Sequence, residues 1–166
     1  MSRASHLIAT FGHVGHLRPA PGTWGSLAAL PAGWALYMLG GVPLFCAGIV
    51  LAFAAGWWAT ALETKGKDDH DPSEIVIDEI VGQWIALLPV MIGASHSGAG
   101  VLALWPGWIT AFVAFRLFDI TKPGPVGWAD RQVGPFGVML DDVIAGILAA
   151  IMVGLGAGLS HGVLGF

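Results

Sequence analysis

The sequence predicts an all-helical bundle that crosses a membrane about five times, and three observations carry that expectation. Of the 166 residues, 55% are hydrophobic and only 11% charged, whereas soluble domains carry about 25% charged residues. Mean hydropathy is +0.75, more apolar surface than a soluble core of this size can hide, so the bilayer is the expected solvent. Apolar runs near membrane-spanning length recur along the chain, and the charged residues are confined to particular connections between them.

The opening segment, MSRASHLIATFGHVGHLRPAPG, has no uninterrupted apolar run of signal-peptide length, so insertion is expected to rely on internal spans. Those spans are expected at roughly Trp24–Leu39, Pro43–Leu62, Ile75–Ala94, Gly100–Phe118 and Val143–Leu159. A spanning helix needs about 20 residues, so the first run is short unless its helix begins in the preceding PGT segment. Pro31, Pro89 and Pro106 fall inside runs, where a missing N–H predicts a kink that neighbouring helices must cover.

The loops Gly40–Val42 and Ser95–Ala99 carry no Asp, Glu, Lys or Arg. Cations sit instead in the N-terminal segment (Arg3, Arg18), the 63–74 connection (Lys65, Lys67) and the 119–142 connection (Lys122, Arg131), with Arg116 just before the last. Five spans put these three regions on one side, which the positive-inside rule makes cytoplasmic. A re-entrant first stretch would strand Arg3 and Arg18 opposite the other charges. The chain reads as a single membrane domain, 1–166. Its net charge of −4 leaves no electrostatic footprint for nucleic acid. Cys46 is the sole cysteine, which excludes intrachain disulfides and cysteine-cluster metal sites.

Five carboxylates are hard to explain as solubilising decoration. Asp78 and Glu79 lie about one turn into the third span, Asp119 closes the fourth, and Asp141 and Asp142 open the fifth. Ionisable groups in spans are expensive, and five acids on three helix ends repel one another unless a divalent cation gathers them. An all-oxygen, thiol-free donor set suits magnesium or manganese. Taken singly, Asp141 and Asp142 also suit a helix N-terminus, and Asp119 also suits an i,i+3 pair with Arg116. Arg116, Lys122 and Arg131 flank the acids, as phosphate chemistry requires, although the positive-inside signal needs cations there too. The run Pro21-Gly22-Thr23-Trp24-Gly25-Ser26 allows close backbone approach and could hold an anion at a helix start; it equally suits an ordinary turn with Thr23 or Ser26 as cap.

His13 and His16 share one face of a turn but have no evident histidine or cysteine partners, and read as interfacial loop residues. His70, in the acidic run KDDHDPSE, reads as solvated loop. The tryptophans, Trp24, Trp57, Trp84, Trp105 and Trp128 among them, read as interfacial anchors and packing.

Three blocks together resemble the phosphatidylglycerophosphatase A family: PAPGTWGSLAALP at 19–31, DPSEIVIDEIVGQW at 71–84, and FRLFDITKPGP with WADRQVGPFGVMLDDVIAG within 115–146. The resemblance implies a bacterial inner-membrane enzyme, all-helical and magnesium-dependent, that removes the terminal phosphate of phosphatidylglycerophosphate at the cytoplasmic face. The family's motifs fall on Asp78 and Glu79, on Arg116, Asp119 and Lys122, on Asp130, Arg131, Asp141 and Asp142, and on Pro21, Gly22, Thr23, Gly25 and Ser26. On that basis Asp78, Glu79, Asp119, Lys122, Arg131 and Asp142 are expected to be catalytic. Glu79, Asp119, Asp141 and Asp142 are expected to hold Mg2+, and Gly22, Thr23, Gly25, Ser26 and Arg116 to contact phosphate. His13, His16 and Arg18 are less typical of the family. Two rival readings are a metal-dependent phospholipid headgroup transferase, whose DG-x2-AR...G-x3-D-x3-D pattern is absent, and an acidic-site cation transporter, whose carboxylates would sit nearer the midplane.

Overall fold

The computed structural model describes residues 2–67, 69 and 72–163, with side chains through Ser160; His70 lies outside them. Among the described residues the secondary structure is helical: α1 (Arg3–Ala9), α2 (Pro21–Glu63), α3 (Ile77–Ser97), α4 (Trp105–Thr121), α5 (Pro125–Asp130) and α6 (Pro135–Val163), with short 3-10 turns at Val14–His16 and Val101–Leu104. Four of these helical stretches are long and apolar enough to cross a membrane.

The first two expected spans are the two arms of α2. Gly40 and Gly41 break the helix, Gly41 adopting a φ of 61° that side-chain-bearing residues avoid. The chain turns back there. Gly25 in the first arm and Gly56 in the second pack against the neighbouring residues Val76 and Ile77, so both arms return to the start of α3. The first arm starts at Pro21, which lengthens the short run to 19 residues, about 28 Å at 1.5 Å per residue.

Other boundaries shift for local reasons. Pro106 is in the first turn of α4, where its missing N–H has no intrahelical role, so it starts that helix and does not kink it. Helix α6 begins at Pro135, eight residues before the expected run, and Asp141 and Asp142 therefore lie in its second turn.

Helix α3 is the centre. Ile80, Val81, Leu87 and Met91 are buried between α2, α4 and α6, and Trp84 donates its Nε1–H to the Ala29 carbonyl at 2.8 Å. The surrounding helices leave Leu39, Leu51, Ile109, Val113 and Leu155 more than half exposed, an apolar belt that lipid can cover. Helices α3 and α6 cross at glycines. A Cβ at Gly146 would overlap the Gly82 carbonyl, and one at Gly82 would come within 2.6 Å of the Asp142 carbonyl. This approach brings Glu79 and Asp142 to the same level of the bundle. Gly146→Val is expected to lower stability by about 1–3 kcal/mol through overpacking, read as a fall in the thermal midpoint in detergent.

The N-terminal segment closes one end of the bundle. The Val76 N–H donates to the Ala9 carbonyl at 2.9 Å, and Arg18 donates to Ser73 Oγ at 3.1 Å. Arg18 thus lies at the same end of the bundle as the 63–74 connection.

Candidate active site

At that end a cavity of about 300 Å³ opens between the start of α2, the first turn of α3, the end of α4 and the second turn of α6. Asp78, Glu79, Arg116, Asp119, Lys122, Asp141 and Asp142 all line it. Each reaches it for a local reason. Asp78 and Glu79 occupy the first turn of α3, where the positive end of the helix dipole favours anions. Arg116 and Asp119 lie one turn apart on α4 and pair directly. Lys122 ends α4 in a left-handed conformation, φ 46°, which redirects the chain toward α5 and α6.

Carboxylate oxygens of Asp78, Glu79 and Asp142 converge within 4.8 Å of one another, and so do those of Asp119, Asp141 and Asp142. Asp142 belongs to both groups. Asp78, Asp141 and Asp142 are buried, and Glu79 Oε2 is buried with no hydrogen-bond partner among the described residues. Arg116 Nη1 bonds Asp119 and stands 3.9 Å from Glu79 Oε1. Lys122 Nζ bridges Asp130 and Asp141, donating to Asp141 Oδ2 at 2.7 Å. Burial penalises the Lys122 ammonium, but the hydrogen bonds and charges of those two carboxylates outweigh it and hold its pKa above the ordinary lysine value. Five acids thus face two cations in the cavity wall.

The PGT-GS run divides. Pro21 and Gly22 line the cavity. Ala20 gives α2 no side-chain cap, which leaves the first N–H groups of the helix to other acceptors. A Cβ on Gly22 would overlap Glu79 Oε1 and lie 3.1 Å from Arg116 Nη1; glycine there permits the close approach. Gly25 packs on Val76, while Ser26 is buried and donates its hydroxyl to the Gly22 carbonyl at 2.9 Å. Gly25, Ser26 and the half-buried Thr23 are absent from the cavity wall. Arg131 is exposed at the C-terminus of α5, with its guanidinium near Gly127, and also outside the wall.

Sequence reasoning overlooked Ser73 and Ile75, which line the cavity. It also overlooked Gln83, one turn beyond Glu79, whose fully buried carboxamide has no hydrogen-bond partner among the described residues. A glutamine at i+4 from an intramembrane glutamate was the available signal, since the two share a helix face.

The sequence matches the phosphatidylglycerophosphatase A family over residues 7–157. The chain belongs to that family. It is 39% identical to phosphatidylglycerophosphatase A of Haemophilus influenzae over 150 residues, covering 89% of this chain and 85% of the relative. It is 37% identical to phosphatidylglycerophosphatase A of Escherichia coli over 153 residues, covering 90% and 81%. No solved structure matches the chain. The matched region contains every residue of the cavity wall, so the phosphatidylglycerophosphatase A assignment bears on the site itself as well as on the apolar helices.

Proposed function

We propose that this chain hydrolyses the terminal phosphate of phosphatidylglycerophosphate to leave phosphatidylglycerol, working as one membrane domain in phospholipid biosynthesis. The single observation that carries the reading is the excess of carboxylates over cations around a cavity at the end of an apolar bundle. A phosphate dianion would be repelled by such a wall unless a divalent cation joined it. The donor set suits one: it is all oxygen, it converges from three helices, and it includes a buried Glu79 oxygen without a partner among the described residues.

Asp142 would hold Mg2+ with Glu79 and Asp78 in one carboxylate group, or with Asp119 and Asp141 in the other. When bound, the cation supplies Lewis-acid polarisation of the phosphoryl oxygens and offsets the acidic wall. Lys122 and Arg116 bind the remaining phosphate oxygens. Asp130 and Asp141 orient the Lys122 ammonium, and Asp119 orients the Arg116 guanidinium. The N–H groups at the start of α2, which no N-cap side chain covers, offer further donors to an anion, and exposed Arg131 would contact the headgroup outside the cavity. Water forms the new bond to phosphorus while the bond to the glycerol oxygen breaks, and that oxygen takes a proton as it leaves. Acyl chains remain beside the apolar belt, which keeps the headgroup at the interface. The cations Arg3, Arg18, Lys65, Lys67, Lys122 and Arg131 support a cytoplasmic orientation in the bacterial inner membrane.

Purified protein in detergent, given phosphatidylglycerophosphate and magnesium, is expected to release inorganic phosphate and stop when the metal is chelated. Release of CMP from a CDP-lipid, or cation flux in liposomes without phosphate release, would overturn the reading. Equal turnover of soluble glycerol phosphate would count against a lipid substrate.

A further inference from the structure

We infer that His6, His13 and His16 form a second metal site, for one late first-row divalent cation of the zinc class, which fixes the N-terminal segment beside the cavity mouth. The sequence pairs only His13 with His16; the fold adds His6 from α1. One ring nitrogen from each residue falls within 4.8 Å of the others. The rings gather at centroid separations of 5.1–5.7 Å, and His6 Nε2 lies 3.0 Å from His16 Nε2. Tetrahedral ligands about 2.0–2.1 Å from zinc stand about 3.3–3.4 Å apart, so small ring movements bring the nitrogens into register.

A buried carboxylate orients the first ligand. His6 Nδ1 stands 3.3 Å from Glu63 Oε2, and Glu63 is 4% exposed. Its other oxygen accepts from the Ser5 hydroxyl at 2.6 Å. A carboxylate only accepts, so Nδ1 of the neutral ring is the protonated nitrogen, and in that tautomer Nε2 is the atom left to bind a metal beside the other rings. Carboxylate–histidine–metal sites use this arrangement to fix the ligand tautomer. Surface histidines gathered by chance need no such partner.

The turn that carries the other two ligands has an uncommon backbone conformation at His13. Phe11 and Gly12, with φ of 44° and 64°, cap the end of α1, the Gly12 N–H donating to the Leu7 carbonyl at 2.8 Å; His13 follows with a φ of 73°, a value side-chain-bearing residues rarely adopt. Buried Thr10 accepts from the His13 N–H at 3.1 Å, and the Gly15 N–H donates to the Thr10 carbonyl at 3.0 Å. Backbone held this way is a recurrent mark of ligand sites. His16 precedes Ala20, Pro21 and Gly22 of the cavity wall by only a few residues, so a cation on the three imidazoles ties α1 and the end of α2 to the segment entering the phosphatase cavity. The donor set differs from the cavity's: imidazole suits zinc, nickel or copper, and carboxylate suits magnesium.

The test is cobalt titration of full-length, tag-free protein in detergent, stripped of metal and held in excess magnesium. One equivalent of Co2+ is expected to develop the d–d absorption of a tetrahedral site, and Zn2+ to abolish it. Glu63→Gln should weaken cobalt binding by about 10–100-fold, and His16→Ala, at an exposed position, should remove the spectrum. If His16→Ala fails to fold by circular dichroism, His13→Gln provides the same readout. No tetrahedral spectrum in the wild-type protein would overturn the proposal. So would a spectrum that survives loss of His16 or His13, or one lost in Glu79→Gln, which would put the cobalt in the acidic cavity.

Discussion

Glu79→Gln and Asp142→Asn are each expected to lose on the order of 10²–10³-fold in phosphate release, while the metal-free proteins melt at a higher temperature than the wild type. The two effects share one cause. Asp142 is 3% exposed, and its oxygens sit in both acidic groups of the cavity wall. Glu79 Oε2 is buried without a partner among the described residues. Like charges held this close cost the metal-free fold electrostatic free energy, and neutralising one relieves it. The same charge is what would gather the proposed divalent cation, so its loss removes the transition-state stabilisation a bound metal would contribute. Magnesium should raise the melting temperature of the wild type, by about 2.7 kcal/mol of stabilisation at a hundredfold excess over Kd, and raise it much less in either variant. Wild-type turnover in Glu79→Gln, or an undiminished magnesium shift in both variants, would remove these residues from the metal site.

The acidic residues were legible in the sequence because an apolar chain makes each one costly. Asp78, Glu79, Asp119, Asp141 and Asp142 stood out against their surroundings, and the cavity brings all five together. Turn chemistry was legible too, since Gly40–Gly41 between two apolar runs is where α2 doubles back. Facing was not. Composition cannot say that Gly25 and Ser26 are spent on helix packing while Gly22, one turn earlier, meets Glu79. Nor does it say that Arg131, between Lys122 and Asp141 in sequence, lies outside the wall that both of them line. The histidine cluster depends on contacts far apart in sequence. His6 meets the 13–16 turn because α1 is anchored by Ser5 to Glu63, 58 residues away, and because Ala9 receives the Val76 N–H. The early start of α6 was signalled by Pro135, which apolar run length alone passes over.

Gly22→Ala is expected to reduce phosphate release on the order of 10²-fold without destabilising the protein. The added methyl would overlap Glu79 Oε1, lie 3.1 Å from Glu79 Cδ and press on Arg116 Nη1. The cheapest response is for the flexible Glu79 side chain to swing away, because Gly22 belongs to the helix backbone. Displacement of a reacting or positioning group by about 1 Å costs about that much in rate. Stability should hold or rise, since alanine is favoured over glycine in a helix by about 0.5–1 kcal/mol. A variant as stable as the wild type, yet inactive and less responsive to magnesium, separates loss of the site from loss of the fold. Thr23→Ala is the comparison: Thr23 is half-buried and absent from the cavity wall, so its loss should cost less than about tenfold. A larger defect in Thr23→Ala than in Gly22→Ala would mean that the hydroxyl, and not the close backbone approach at Gly22, is what the start of α2 contributes to the phosphate site.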